Sequence, residues 1–285
     1  MTIAIFNASG AQAAAIARQV EDAGLPVRRL SRSNGDGRVA IDPEEEESIA
    51  RGMDGAEGAV FTVPQDYRAG VREAYAERVV RAAERAGLKR LVANMGGPVY
   101  DWLDDPMTRE LQQVRSILTG GGVPSIVLQP TSFLDNLVEP WAVAAIVGDG
   151  VLAYPTSPQV RVSWISHRSL GDFAVAALRM PEADGRIFDV GGPAPVNGEE
   201  LAAAVGRAAG RPVHYVEMPL QDFAGALDHV FGAPAGARVA ALYRHYRDEP
   251  QAGERVPAGW AALGVAPESV DTWAARQSWR VPAQA

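Results

Sequence analysis

The segment Ile3-Ala-Ile-Phe-Asn-Ala-Ser-Gly-Ala-Gln-Ala13 runs from a short apolar stretch through a tight loop into an alanine-rich helical stretch. Such a loop offers unpaired backbone N–H groups and the positive end of a helix dipole, which together can hold a pyrophosphate. Ser9, Gly10, Ala11 and Gln12 sit at the turn, with Asn7 and Ala13 flanking Gly10 at equal spacing. Asparagine is the non-glycine residue best able to take a left-handed backbone, and alanine still lets a helix pack closely on a strand. By itself a strand–glycine–helix turn recurs in many proteins that bind no nucleotide. The next apolar run, Val27-Arg-Arg-Leu-Ser-Arg-Ser33, adds a second signal. Where a site selecting a ribose diol would place a carboxylate, Arg32 and Ser33 offer a cation and a hydroxyl, which suits a ribose 2′-phosphate. Together these residues point to NADP(H), the alternative for Arg32 being a solvated surface arginine.

Few other side chains can do chemistry. The chain has no cysteine and four scattered histidines without a metal-ligand spacing, so neither thiol nor metal chemistry is expected. Lys89 is the single lysine. Tyr100 and His167 are the candidate proton donors, the histidine because an imidazole pKa near about 6.5 allows donation or acceptance at neutral pH. A hydrogen-bonded structural role is the other reading of His167. Tyr67, Trp102, Phe133, Trp141 and Trp164 either form a flat apolar slot for a substrate or belong to the core.

The elements that must position these groups follow from hydrophobic periodicity. Short apolar runs at Thr2–Phe6, Val27–Leu30, Arg38–Ile41, Ala59–Val63, Arg90–Asn94 and Ser125–Leu128 alternate with amphipathic stretches at Gln12–Ala23, Glu45–Met53, Arg68–Ala86 and Thr108–Leu118. Each amphipathic stretch is long enough for a right-handed crossover, so the pattern predicts an α/β class chain, a doubly wound parallel-sheet Rossmann fold. After Pro130 the connections lengthen and aromatics gather. A strand at Gly185–Val190, a helix at Gly198–Ala209, a strand at Pro212–Met218 and a helical C-terminal part predict a smaller α+β subdomain. The expected division is residues 1–135 for nucleotide binding and 136–285 for substrate, with a segment near 160–195 returning to the first lobe and a cleft between the two.

With 285 residues, 47% of them hydrophobic, the chain can bury a sizeable core. A net charge of −8 with no basic stripe argues against nucleic acid and for a small-molecule substrate. The acidic run Glu44–Glu47 reads as the solvated first turn of a helix. No apolar run reaches the length of a membrane span, and the first residues lack the pattern of a signal peptide, so a cytoplasmic protein with no membrane partner is expected. Monomer and homodimer are both compatible with this composition. The abundance of arginine and alanine suggests a GC-rich bacterial genome, where such proteins often serve secondary metabolism.

Further motifs carry a resemblance. After the loop and Val27–Ser33 come Gly55-Ala-Glu-Gly-Ala-Val-Phe-Thr-Val-Pro64, Ala82-Ala-Glu-Arg-Ala-Gly-Leu-Lys-Arg-Leu-Val92 and Gln129-Pro-Thr-Ser-Phe-Leu-Asp-Asn-Leu137. Trp164-Ile-Ser-His-Arg-Ser-Leu-Gly-Asp-Phe-Ala174, Gly191-Gly-Pro, Glu200-Leu-Ala and Gly210-Arg-Pro-Val-His-Tyr-Val216 continue the series. In these motifs the chain resembles the NmrA-like branch of the atypical short-chain dehydrogenase/reductase superfamily. Of that family's G-x-x-G-x-x-G loop only Gly10 is kept, Asn7 and Ala13 standing at the outer glycines. The resemblance implies that Asn7–Ala13 hold the pyrophosphate and Arg32 the 2′-phosphate. It also implies that Thr62, Val63 and Pro64 line the adenosine or ribose side, that Asn94, Met95 and Gly96 face the nicotinamide, and that the Pro130–Phe133 turn closes the opposite wall.

One departure from the wider superfamily affects the chemistry. Most short-chain dehydrogenases deliver a proton from a tyrosine assisted by a lysine four residues on, whereas here Arg85 stands four before Lys89 and Asp104 four after Tyr100. The leading expectation is an NADP(H)-dependent reductase of a conjugated or quinone-like molecule, since an electron-poor acceptor takes hydride without strong acid assistance. Two alternatives stay open: a non-redox isomerase, cyclase or dehydratase on the same scaffold, and an NAD(P)-sensing regulatory protein.

Overall fold

The computed structural model describes residues 1–182, 184–248 and 259–280. Two compact units draw their described residues from Met1–Pro130, His167–Val190 and Ala258–Val265, and from Thr131–Ser166, Gly191–Pro257 and Ala266–Ala285. Among the described residues, no helix is long and apolar enough to cross a membrane.

The first unit is built on seven strands: β1 (Ile3–Ile5), β2 (Val27–Ser31), β3 (Arg38–Ala40), β4 (Gly58–Thr62), β5 (Arg90–Asn94), β6 (Ser125–Pro130) and β8 (Arg186–Val190), while β7 (Val151–Tyr154) belongs to the second unit. They lie in the order β3-β2-β1-β4-β5-β6-β8. Every neighbouring pair is parallel. This is the doubly wound sheet that the alternating pattern predicts. All of β1, β4 and β6 is buried, which is why these strands read as continuous apolar runs. Chain order reverses between β1 and β4, and this opens a crevice at their carboxyl ends.

Helices cover both faces. On one, α1 (Ala11–Asp22) turns Ala13, Ala15, Ile16, Ala17 and Val20 inward, a stripe of helical period. It packs against α6 (His167–Arg179), where Gly171 lies so close that a Cβ there would stand 2.5 Å from Gln19 Cγ and 3.2 Å from the Ala15 carbonyl oxygen. On the other face, α2 (Glu46–Met53), α3 (Val71–Arg85) and α4 (Pro106–Gly120) join Leu30, Phe61, Tyr75 and Val79 in one core cluster.

Two helix starts differ from the sequence expectation by more than one residue. α3 begins at Val71 rather than Arg68, because Gly70 adopts a left-handed φ of 77°. Before it, the Asp66 carboxylate accepts from Arg68 N at 3.1 Å and Arg68 Nε at 3.0 Å, which holds the chain in a turn. α4 begins at Pro106 rather than Thr108, since the Asp105 side chain caps it by accepting from Met107 N and Thr108 N.

The second unit pairs β7 with β9 (His214–Glu217) in a two-stranded parallel sheet. Its other helices are α5 (Pro140–Gly148), α7 (Gly198–Ala209), α8 (Leu220–Phe231), α9 (Ala235–Asp248) and α11 (Val270–Ala275), while the short α10 (Gly259–Leu263) belongs to the first unit. α7 starts on a reciprocal capping box between Asn197 and Glu200. In its core the Tyr154 and Tyr243 hydroxyls meet at 2.7 Å, and the Tyr154 ring lies edge-on to Trp164.

Burial pushes the hydroxyls of Tyr75, Tyr154, Tyr215 and Tyr243 above the ordinary tyrosine range. The stability from keeping them neutral is complete below the unfolded-chain value of about 10 and is lost as pH rises from there through the higher folded values. Urea midpoints should therefore fall from about pH 10 upward, with tyrosinate absorbance appearing at the unfolding transition. Full tyrosinate absorbance in a still-folded protein would contradict this.

Candidate functional site

The crevice between β1 and β4 is shaped by backbone first. Phe6 N donates to the Val60 carbonyl at 2.9 Å, and Ala8 N to the Leu30 carbonyl at 2.9 Å, so the loop is pinned to both neighbouring strands. Asn7 takes a left-handed φ of 55°. Its Nδ2 donates to the Thr62 carbonyl at 2.7 Å, a tie that glycine could not make. Gly10 N donates back to the Asn7 carbonyl at 2.9 Å, and Gly10, extended at φ −82° and ψ 149°, opens α1.

The N-terminus of α1 has neither a side-chain cap nor an acid in its first turn. By contrast α2 carries Glu46 and Glu47, and α7 carries Glu199 and Glu200, where the helix dipole favours negative charge. The N–H groups of Ala11, Gln12 and Ala13 find no partner among the described residues. A glycine cap, free donors and absent carboxylates make a set that fits a pyrophosphate.

Asn94 joins three elements. Fully buried at the end of β5, it donates through Nδ2 to Gln12 Oε1 at 2.8 Å and Thr62 Oγ1 at 3.4 Å, and accepts from Gly96 N at 3.0 Å. Gly96 follows with a φ of 73°, a turn that favours glycine. Thus Gln12, Thr62, Asn94 and Gly96 come together, with Val63 N bonded to the Asn94 carbonyl at 2.9 Å and Met95 N to the Leu128 carbonyl at 3.0 Å. Met95 and Val63 are buried, and Pro64 is half-buried beyond them.

At the end of β2, Ser31 Oγ donates to the Ser33 carbonyl at 2.5 Å and fixes the turn. Arg32 and Ser33 are exposed there. Arg32 has no hydrogen bond or ion pair among the described residues, whereas nearby Arg29 is paired with Glu21 at 2.6 Å and Arg38 with Asp36 at 2.9 Å.

The loop from β5 to α4 carries Tyr100 and Trp102, whose rings stack at 4.8 Å with planes 28° apart. Trp102 is 41% exposed. Gln112 Nε2 donates to the Tyr100 carbonyl at 3.0 Å. Arg115 binds Asp101 in the same loop and donates to Gln129 Oε1 at 3.0 Å, and Gln129 in turn donates to Asp189 at 2.7 Å.

A buried ion pair that no sequence pattern marks lies beside this loop. Arg72 Nε donates to Glu110 Oε1 at 2.6 Å, with the side chains only 4% and 6% exposed. The Arg72 guanidinium stands 5.4 Å from the centre of the Tyr67 ring, and its Nη2 is buried without a partner. Burial pushes the Tyr67 hydroxyl up, opposed by the charge of Arg72. No spacing rule finds such a pair, since charges at the start of two helices read as solvated.

The remaining expected residues belong to other elements. His167 is the half-buried first residue of α6 in the first unit. Phe133 and Trp164 are buried in the second unit, where Phe133 bridges to Ile165. Trp141 lies on α5, and its side chain is outside the described residues.

A parallel sheet that reverses its order beside a glycine-capped, acid-free helix defines a Rossmann-type α/β protein. The chain belongs to the NmrA-like family, which matches residues 1–262. It is 29% identical over 230 residues to the NAD(P)H azoreductase of Xenophilus azovorans, covering 77% of this chain and 78% of that protein. It is 30% identical over 227 residues to the (4-alkanoyl-5-oxo-2,5-dihydrofuran-3-yl)methyl phosphate reductase of Streptomyces griseus subsp. griseus, covering 76% and 77%. In fold it is similar to the NADPH-dependent quinone oxidoreductase of Escherichia coli solved with NADPH, with a TM-score of 0.74 and 17% identity over 95% of this chain and 98% of that one.

Proposed function

We propose that this chain is an NADP(H)-dependent reductase of a small conjugated or quinone-like molecule, working without a Tyr-x-x-x-Lys pair. The observation that carries the reading is Arg32, an uncommitted cation at the end of β2, beside a helix N-terminus that has no acid of its own. Two relatives named as reductases support it.

In this reading the first-turn N–H groups of α1 hold the pyrophosphate and Arg32 holds the 2′-phosphate. Asn94 keeps Gln12, Thr62 and Gly96 in register, so the ends of β4 and β5 and the start of α1 form one rigid floor. NADPH, when bound, supplies the hydride. The stacked Tyr100 and Trp102 rings orient a flat acceptor, and orientation alone is worth up to about 7–11 kcal/mol of the barrier when the geometry is ideal. Tyr100 or His167 then delivers the proton, or water does.

The test is NADPH oxidation by the purified protein with a panel of quinones and conjugated ketones. Turnover of at least one acceptor supports the reading. Nucleotide binding without any turnover favours the sensing protein, and failure to bind favours the non-redox enzyme. If Tyr100 or His167 donates the proton, Tyr100→Phe or His167→Ala should lower kcat by about a hundredfold or more. Unchanged turnover in both variants would remove both donors.

A further inference from the structure

Arg78, on α3, is another arginine near β2 and β3 whose guanidinium is largely uncommitted. Its Nε donates to the Pro43 carbonyl at 2.8 Å, and its Nη groups have no partner among the described residues. Pro43 lies just beyond the carboxyl end of β3. Ile41 N donates to the Ser31 carbonyl at 2.8 Å, so this backbone runs directly beside the end of β2 from which Arg32 projects. The Pro43 tie fixes the plane of the guanidinium and leaves its outer edge as a preset fork for an oxyanion. Several other arginines on this side are engaged: Arg81 and Arg85 pair with Glu46, and Arg28 with the Gly52 and Asp54 carbonyls.

Tyr75 lies one turn before Arg78 on the same helix, buried, with its ring edge-on to Phe61 at 5.1 Å. Its hydroxyl has no hydrogen-bond partner among the described residues. The charges of Arg32 and of Arg78 both oppose the rise that burial imposes on it. On the Pro43 turn, Asp42 Oδ1 accepts from Glu44 N at 2.8 Å.

We propose that Arg78 and the Tyr75 hydroxyl complete, with Arg32, the subsite that selects a 2′-phosphorylated adenosine. This rests on the NADP(H) reading and assigns the selectivity to two elements, the end of β2 and the face of α3, rather than to Arg32 alone. Neither residue belongs to the loop–helix motif, so neither is marked by its spacing.

The experiment is calorimetric titration of the full chain with NADPH and NADH, in the wild type and in Arg78→Ala, Arg78→Lys and Tyr75→Phe. Loss of one charge-assisted contact should weaken NADPH by about tenfold in Arg78→Ala while leaving NADH unchanged. Arg78→Lys should lose less, keeping the charge but not the fork, and Tyr75→Phe should also lower the NADPH:NADH ratio. An unchanged ratio in Arg78→Ala overturns the proposal, whether both nucleotides hold or both weaken together through a damaged fold. If Arg32→Ala abolishes the preference while Arg78→Ala and Tyr75→Phe leave it unchanged, the subsite fails and the cofactor reading stands. A wild type that binds NADPH no tighter than NADH overturns both.

Discussion

Replacing Glu110 by alanine should cost about 3–5 kcal/mol of folding stability, because it strands a buried guanidinium without its counter-charge. Arg72 and Glu110 are almost wholly inaccessible, and Arg72 already carries one buried N–H group without a partner. Neither charge can recover its lost hydration when the other is removed. Replacing both with apolar residues of similar volume, as in Arg72→Met with Glu110→Leu, should by contrast come close to neutral, since a buried pair rarely outperforms well-packed apolar side chains. Denaturant unfolding of the two single variants and the double variant measures this directly. A single Glu110→Ala cost below about 1 kcal/mol would show that the pair is solvated. The pair joins the starts of α3 and α4, which flank the Tyr67 and Tyr100 loops, so a folded single variant should also lose substrate orientation.

Replacing Gly171 by valine should part α1 from α6 and weaken NADPH binding by more than about tenfold, with a stability loss of about 1–3 kcal/mol. The glycine matters because a Cβ would press on Gln19 and on the backbone of Ala15. Relief requires α1 to move, and its N-terminus is the end proposed to hold the pyrophosphate. A thermal melt reports the stability, and a nucleotide titration reports the displacement. Unchanged NADPH affinity in a destabilised variant would mean that α1 keeps its position and α6 yields instead.

The doubly wound sheet is legible in the sequence because its buried strands are short and unbroken and its crossovers have helical period. The loop is legible for a related reason, as a chemistry of position: Gly10 must open α1, and Asn7 can take the left-handed turn. The tie from Asn7 to the Thr62 carbonyl is not, since it joins residues far apart in sequence. The same holds for the Asn94 hub and for Arg72 with Glu110, whose partners are set by tertiary packing. The start of α3 differs from the periodic expectation because Arg68 continues the helical pattern, while Gly70 and the Asp66 clamp that stop it act locally. β7 has no counterpart in the sequence reading, although its alternating burial at Leu152 and Tyr154 is a period-two signal; it is too short to stand out from its flanks.

The most direct test of the cofactor reading is a titration of the wild type and Arg32→Ala with NADPH and NADH. The wild type is expected to prefer NADPH, and the variant to lose the preference by weakening NADPH alone. Equal binding of the two nucleotides by the wild type, or a preference that survives the loss of Arg32, would contradict it.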